Sequence, residues 1–146
     1  MYKKILVPLD GSDLSESVLE HVITIAKGCQ VPEVVLLRVR KPLDNRVKSV
    51  LDPEIADELN QAYYDEFANY LKAIAKKLEK KGIPVKTEVL TGKPAEEILK
   101  YSQNKNIDLI IMSTHGRSGF SSILFGSEAN KILRQTKIPV LLKPAH

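Results

Sequence analysis

The sequence predicts an open, doubly wound α/β fold, a parallel sheet with helices on both faces. Three observations carry that prediction. Short apolar runs alternate along the chain with longer stretches of helical period, which is the strand–helix order of a parallel sheet. Two of these runs, Ile5-Leu6-Val7 and Val34-Val35-Leu36-Leu37, are unbroken, as in strands covered on both faces. Polar loops follow two of the strands, Asp10-Gly11-Ser12 early and Ser113-Thr114-His115-Gly116 late.

Lys4 to Leu9 reads as a buried central strand. The helix after it places Val18, Leu19, Val22, Ile23 and Ala26 on one face, with Asp13 and Glu16 at capping-box spacing and Gly28 as its stop. Glu33 to Val39 is the second strand. Lys41 to Leu51 shows no clear period and reads as a mobile loop. Asp52 and Pro53 then open a long helix, with Pro53 in its first turn, and Ile55, Leu59, Tyr63, Phe67, Leu71, Ile74 and Leu78 form an apolar stripe that runs down to Gly82. From Pro84 to Leu90, Val85, Thr87 and Val89 alternate with Lys86 and Glu88, the pattern of an edge strand with one wetter face. Gly92-Lys93-Pro94 turns into a short helix holding Ile98 and Leu99. Leu109 to Met112 is a buried strand, Ser127 to Lys137 a helix with Ala129, Ile132 and Leu133 inward, and Pro139 to Leu142 a last strand. With no internal repeat and no linker, residues 1–146 read as one domain.

Composition narrows the class. Hydrophobic content of 43% and charged content of 27% are those of an ordinary globular chain. No run approaches the roughly 18 apolar residues of a membrane span, and the opening apolar run is too short for a signal peptide, so a cytoplasmic setting is expected. Cys29 is the one cysteine, which excludes an internal disulfide. The net charge of +4 does not imply nucleic acid, because acids from Asp52 to Glu66 precede lysines from Lys72 to Lys81 as a helix dipole favours. Aromatics are 5% of the chain and are not interleaved with basic residues.

The chemistry concentrates between Asp108 and Leu133. An apolar strand leads into a loop with Gly116, Arg117, Gly119 and Gly126, and a helix starts at Ser127. Glycines let backbone N–H groups approach a phosphate, and the unpaired amides of a helix N-terminus face negative charge. Open parallel sheets bind ligands beyond the strand C-termini, where the strand order reverses. If the first and fourth strands are neighbours, the Asp10 loop and the glycine loop open onto one crevice beside Val39. Such a crevice suits a nucleotide: apolar backbone for the base, a carboxylate for the ribose, the glycine loop for phosphates. Asp10 has a competing reading as a cap of the first helix.

These residues resemble the universal stress protein family, over essentially the whole chain. Nucleotide-binding members carry glycine, two residues, glycine, nine residues, glycine, then serine or threonine. Here Ser113 stands in the first position, followed by Gly116, nine residues from Arg117 to Phe125, and Gly126-Ser127. Pro8-Leu9-Asp10-Gly11-Ser12 matches the end of the family's opening strand. The resemblance implies a five-stranded sheet of order 3-2-1-4-5, an adenine nucleotide alpha hydrolase-like fold, and a homodimer. It implies ATP, AMP or ADP as ligand, with Mg as an optional companion. Pro8, Leu9 and Asp10 would flank the adenosine and Val39 would meet adenine through its backbone, while Gly116, Arg117, Gly119, Gly126 and Ser127 would hold the phosphates. Met112, Ser113, His115, Ser118 and Glu128 complete the candidate set as neighbours of those positions.

No catalytic residue and no metal ligand set is expected. His115 has no adjacent acid or serine to orient it, His21 and His146 stand apart from it, and Lys93 lacks the spacing of a phosphate-binding loop lysine. The expected function is a nucleotide-binding regulatory module of stress response with little turnover. The alternatives are a slow ATPase or adenylyl-transfer enzyme using the same crevice, or an interaction protein that binds no nucleotide. Val140, Leu141 and Leu142 make the last strand an apolar edge, hence an expected homodimer contact.

Overall fold

The structure, a computed structural model, describes residues 1–114 and 127–144. In chain order the elements are β1 (Lys4–Pro8), α1 (Asp13–Glu16), α2 (Leu19–Gly28), β2 (Glu33–Arg40), α3 (Asn45–Val50), α4 (Pro53–Glu79), β3 (Val85–Thr91), α5 (Pro94–Asn104), β4 (Leu109–Ser113), α6 (Ser127–Gln135) and β5 (Val140–Lys143). The strands form one parallel sheet of order β3-β2-β1-β4-β5. The predicted fold class and strand order are both found.

Period-two alternation sorts the strand residues into two cores. Ile5, Val7, Val34, Leu36 and Ile111 pack with Val22 of α2 and with Leu71, Ile74 and Leu78 of α4. Leu6, Val35, Leu37, Ile110 and Met112 pack with Ile98 and Leu99 of α5 and Ala129 and Ile132 of α6. Burying each large aliphatic side chain contributes roughly 1.5–3 kcal/mol, so the unbroken runs of β1 and β2 are what commit helices to both faces. At the far end of the sheet the Asp108 carboxylate accepts from the amides of Lys3 at 2.8 Å and Lys4 at 3.2 Å, tying β4 to β1.

Four local expectations are corrected. The first helical stretch is split in two, α1 and α2, and its cap is Ser12, whose hydroxyl accepts from the Ser15 amide at 3.1 Å. Gly28 is the last helical residue of α2, and Gln30, with φ 52°, takes the left-handed turn instead. The segment read as a mobile loop carries α3, capped by Asp44, whose carboxylate accepts from the Arg46 amide at 2.8 Å. The apolar stripe of α4 is buried only from Leu71 onward; Ile55 and Tyr63 are exposed. Its 27 residues reach about 40 Å at the α-helical rise. The eight residues of β2 reach about 26 Å at the strand rise. The first half of α4 therefore has no sheet long enough to cover it.

Candidate functional site at the strand reversal

The strand order reverses between β1 and β4, and a crevice of about 650 Å³ lies there, within the usual range for small-ligand sites. Leu37 and Val39 of β2, Ile98 of α5, Met112 of β4 and Ala129 and Ile132 of α6 give it apolar walls. Polar groups come from Asp10, Ser113, Thr114, Ser127 and Glu128. The first and fourth strands are thus neighbours, and Asp10 of one polar loop and Ser113 and Thr114 of the other line one crevice.

Asp10 follows β1, and its Oδ1 accepts from the Ser12 amide at 2.9 Å and the Ser12 hydroxyl at 2.5 Å. This is an Asx turn that feeds the α1 cap, so Asp10 has the structural role weighed against it as well as a place on the crevice wall. Gly11 takes φ +86°, and a Cβ on it would stand 3.0 Å from Nη2 of Arg38. The Arg38 guanidinium lies 3.6 Å from the Phe67 ring centre and 4.8 Å from that of Tyr70, held by cation–π attraction. Tyr70 in turn donates to Glu16 Oε2 at 3.0 Å. Burial, then the Glu16 carboxylate, raise its phenol well above the ordinary tyrosine range. The β1–α1 loop therefore rests on a packed arginine.

On the other side of the crevice, Ser113 ends β4 and pairs in register with Lys143, and the Thr114 amide donates to the Lys143 carbonyl at 3.0 Å. Among the described residues, the non-glycine positions with positive φ are Gln30 and Asn106. Ser113 is extended strand, so the position where the family pattern has glycine needs no left-handed backbone. Glu128 turns its carboxylate to the Ala95 amide at 2.7 Å, satisfying one orphan donor at the start of α5. Beside it, Lys131 bonds Glu96 at 3.0 Å and holds that carboxyl below its usual range. Two contacts thus tie α6 to α5.

Of the predicted site residues, Pro8, Leu9, Asp10, Val39, Met112, Ser113, Ser127 and Glu128 all line the crevice. His115, Gly116, Arg117, Ser118, Gly119 and Gly126 lie outside the described residues. Sequence reasoning missed Arg38, Arg40, Tyr63, Phe67 and Pro94, which also line it. The signal was present in part: Arg38 and Arg40 continue the face of Val34 and Leu36, two charges at period two ending a buried strand. A buried strand that turns charged on one face is leaving the core for a polar cavity. Tyr63 and Phe67 sat in a stripe that reads equally well as core.

The family model for the universal stress protein family matches residues 1–144. The chain belongs to the universal stress protein family. Universal stress protein MJ0531 of Methanocaldococcus jannaschii is 37% identical over 97% of this chain and 82% of its own length. A solved structure of MJ0577, a universal stress protein of the same organism, covers 99% of this chain and 96% of its own, with a TM-score of 0.86 and 37% identity. A universal stress protein family protein from Arabidopsis thaliana, solved with AMP bound, is 16% identical with a TM-score of 0.70, covering 97% of this chain and 91% of its own. At that identity the last likeness speaks to the fold. Within the universal stress protein frame, the crevice sits where a doubly wound sheet places its ligands. Among the described residues no helix is long and apolar enough to cross a membrane, and no cluster of three or more His, Cys, Asp or Glu could hold a metal ion.

Proposed function

We propose that this universal stress protein binds an adenine nucleotide, ATP, ADP or AMP, in the crevice and acts as a cytoplasmic regulatory module of stress response with little turnover. One observation carries the reading. Across the sheet the crevice runs from Val39 on β2, past the Asp10 carboxylate after β1, to Met112 on β4 and Ser127 at the start of α6. That order suits a base, a ribose and a phosphate chain in sequence. Val39 would meet adenine, Asp10 the ribose hydroxyls, and Ser127 with the α6 amides the phosphates. The Arabidopsis relative with AMP bound lends support, since the same fold hosts an adenine mononucleotide there. In this reading Mg would accompany a triphosphate.

Fast phosphoryl transfer needs a positioned base as well as a charge clamp. The described crevice carboxylates are Asp10, Asp44 and Glu128, and each has an oxygen accepting from a backbone amide, that of Ser12, Arg46 and Ala95 in turn, which is why little hydrolysis is expected. In the same reading residues 1–146 act as one domain, and two chains pair through β5, the sheet edge whose residues are each half-buried. The test is the nucleotide content of protein as purified: denature it, separate the extract by chromatography, and then titrate stripped protein with ATP and AMP. Adenine nucleotide in the extract, or micromolar uptake by calorimetry, supports the reading. An empty extract with no uptake of either nucleotide sinks it. Turnover of roughly 1–100 per second with magnesium, the range of dedicated phosphoryl-transfer enzymes, would replace it with the ATPase alternative.

A further inference from the structure

Arg40 is not used by the nucleotide reading, and its setting is unusual for a cation. It ends β2, lines the crevice, and is 93% buried. Its two terminal nitrogens both donate to Oδ1 of Asn60, the longer bond being 3.2 Å, and its guanidinium lies 5.7 Å from the Tyr63 ring centre. Asn60 is a neutral acceptor. Among the described residues Arg40 makes no ion pair. Asp44, an acid on the same wall, has Oδ1 engaged with the Arg46 amide at 2.8 Å. Charged side chains buried to this degree are ordinarily paired with a carboxylate, because removing a charge from water is costly.

The guanidinium also has donors left over. It carries five N–H groups in a fixed fork, and two bonds to one oxygen leave the others uncommitted. No buried side-chain nitrogen or oxygen among the described residues lacks a partner, so Nε, which Asn60 does not reach, is not sealed away, and Arg40 lines the crevice. Asn60 and Tyr63 hold the group in place from α4, so little ordering remains when an anion arrives. Lys41, the next residue, is exposed on the same wall and adds a second positive charge.

We infer that Arg40, with Lys41 beside it, is an oxyanion subsite that takes a phosphate group at the β2 side of the crevice. It is separate from the phosphate position at α6. β2 and β4 stand on either side of β1, two strand spacings or about 10 Å apart. The phosphate enters as free ion or as a second phosphate borne by a nucleotide away from its 5′ chain. Both sources share the chemistry that a planar, preorganised arginine fork recognises.

The experiment uses the full chain, stripped of nucleotide. Inorganic phosphate is titrated while the side-chain Nε–H resonance of Arg40 is followed by NMR, assigned by its loss in Arg40→Gln. In parallel, AMP and adenosine 3′,5′-bisphosphate are compared by calorimetry in the parent, Arg40→Gln and Arg40→Lys. A free-phosphate site gives a saturating shift with a dissociation constant of about 1 mM or tighter, and the shift does not need nucleotide. A nucleotide-borne site gives bisphosphate binding about tenfold tighter than AMP, a difference erased by Arg40→Gln and partly kept by Arg40→Lys. If phosphate leaves the resonance unmoved and Arg40→Gln treats both nucleotides as the parent does, the inference is overturned. Loss of all nucleotide binding with the phosphate shift intact would defeat the adenine reading and leave this one standing. Arg40→Lys also removes the Nε–H resonance, so the assignment and the free-phosphate arm stand even if Arg40→Gln folds poorly.

Discussion

Gly11→Ala tests the loop that carries Asp10, and its cost can be worked from the structure. Gly11 has φ +86°, a conformation that costs an L-residue about 1–2 kcal/mol. The new Cβ would also stand 3.0 Å from Nη2 of Arg38 and 3.2 Å from its Cζ and Nη1. The guanidinium is also packed 3.6 Å from the Phe67 ring centre, so any shift it makes disturbs that contact. Overpacking of this kind adds about 1 kcal/mol or more, for a total of about 2–4 kcal/mol. A domain of this size loses roughly 3 °C of melting temperature per kcal/mol, so the variant should melt about 6–12 °C below the parent. Gly28→Ala is the matched control: Gly28 is helical and nothing lies within 4 Å of its would-be Cβ. Alanine there should raise stability by about 0.5–1 kcal/mol. Thermal melts by circular dichroism at one scan rate read both. If Gly11→Ala melted with the parent while Gly28→Ala rose as expected, the loop would not be resting on Arg38 in a left-handed turn. The argument tying Asp10 to that arginine would then fall.

Four further outcomes follow from the same geometry. Ser113→Gly restores the family's glycine in an extended strand position. It should leave nucleotide affinity within about threefold while costing roughly 0.5–1 kcal/mol of stability, and tenfold tighter binding by calorimetry would show that the position needs glycine after all. Glu128→Ala removes the acceptor of the Ala95 amide and should cost about 1 kcal/mol by urea unfolding, with Glu128→Gln keeping most of it; equal loss in the two would mean that charge matters more than the bond. Light scattering at micromolar concentration should give twice the 16.3 kDa chain mass, and a single-chain mass would dismiss the pairing of β5 edges. Burial pushes the Tyr101 phenol up to about 12. An unfolded tyrosine ionises near 10, so the unfolded chain releases its proton first and stability falls as pH rises from about 10 towards 12. Tyr101→Phe should flatten that decline in urea midpoints between pH 9 and 12, and a slope equal to the parent's would count against it.

The fold was legible because its signals are local. Unbroken aliphatic runs give strands buried on both faces, and the alternation from Val85 to Val89 gives an edge strand, which β3 is. What failed at this level failed for a physical reason. The stripe from Ile55 to Leu78 is one continuous helix, yet burial depends on whether a sheet lies beneath, and that length is fixed by other segments of the chain. α3 escaped notice because a six-residue helix with no buried residue leaves no apolar period. The crevice was located from the order of polar loops, but its Arg38 and Arg40 wall was not. Their partners Phe67, Tyr70, Asn60 and Tyr63 lie about 20 to 32 residues further on, in α4.

The glycines show most clearly how a pattern and a backbone can divide the work differently. The family pattern places a glycine where this chain has Ser113, and the natural inference is that a larger residue obstructs the ligand or strains the turn. Ser113 instead sits in the β4–β5 ladder opposite Lys143, 9% exposed, on extended backbone that places no glycine demand on it. Among the described residues of the crevice loops a backbone demand falls on Gly11, where φ is positive and a neighbouring side chain occupies the space of a Cβ. A ligand approaching the end of β4 therefore meets a short hydroxyl side chain with no strain behind it. A ligand approaching β1 meets a carboxylate whose loop depends on a missing Cβ. The substitution at Ser113 is thus compatible with an intact nucleotide crevice, and the residue whose change would disturb that crevice from beneath is Gly11.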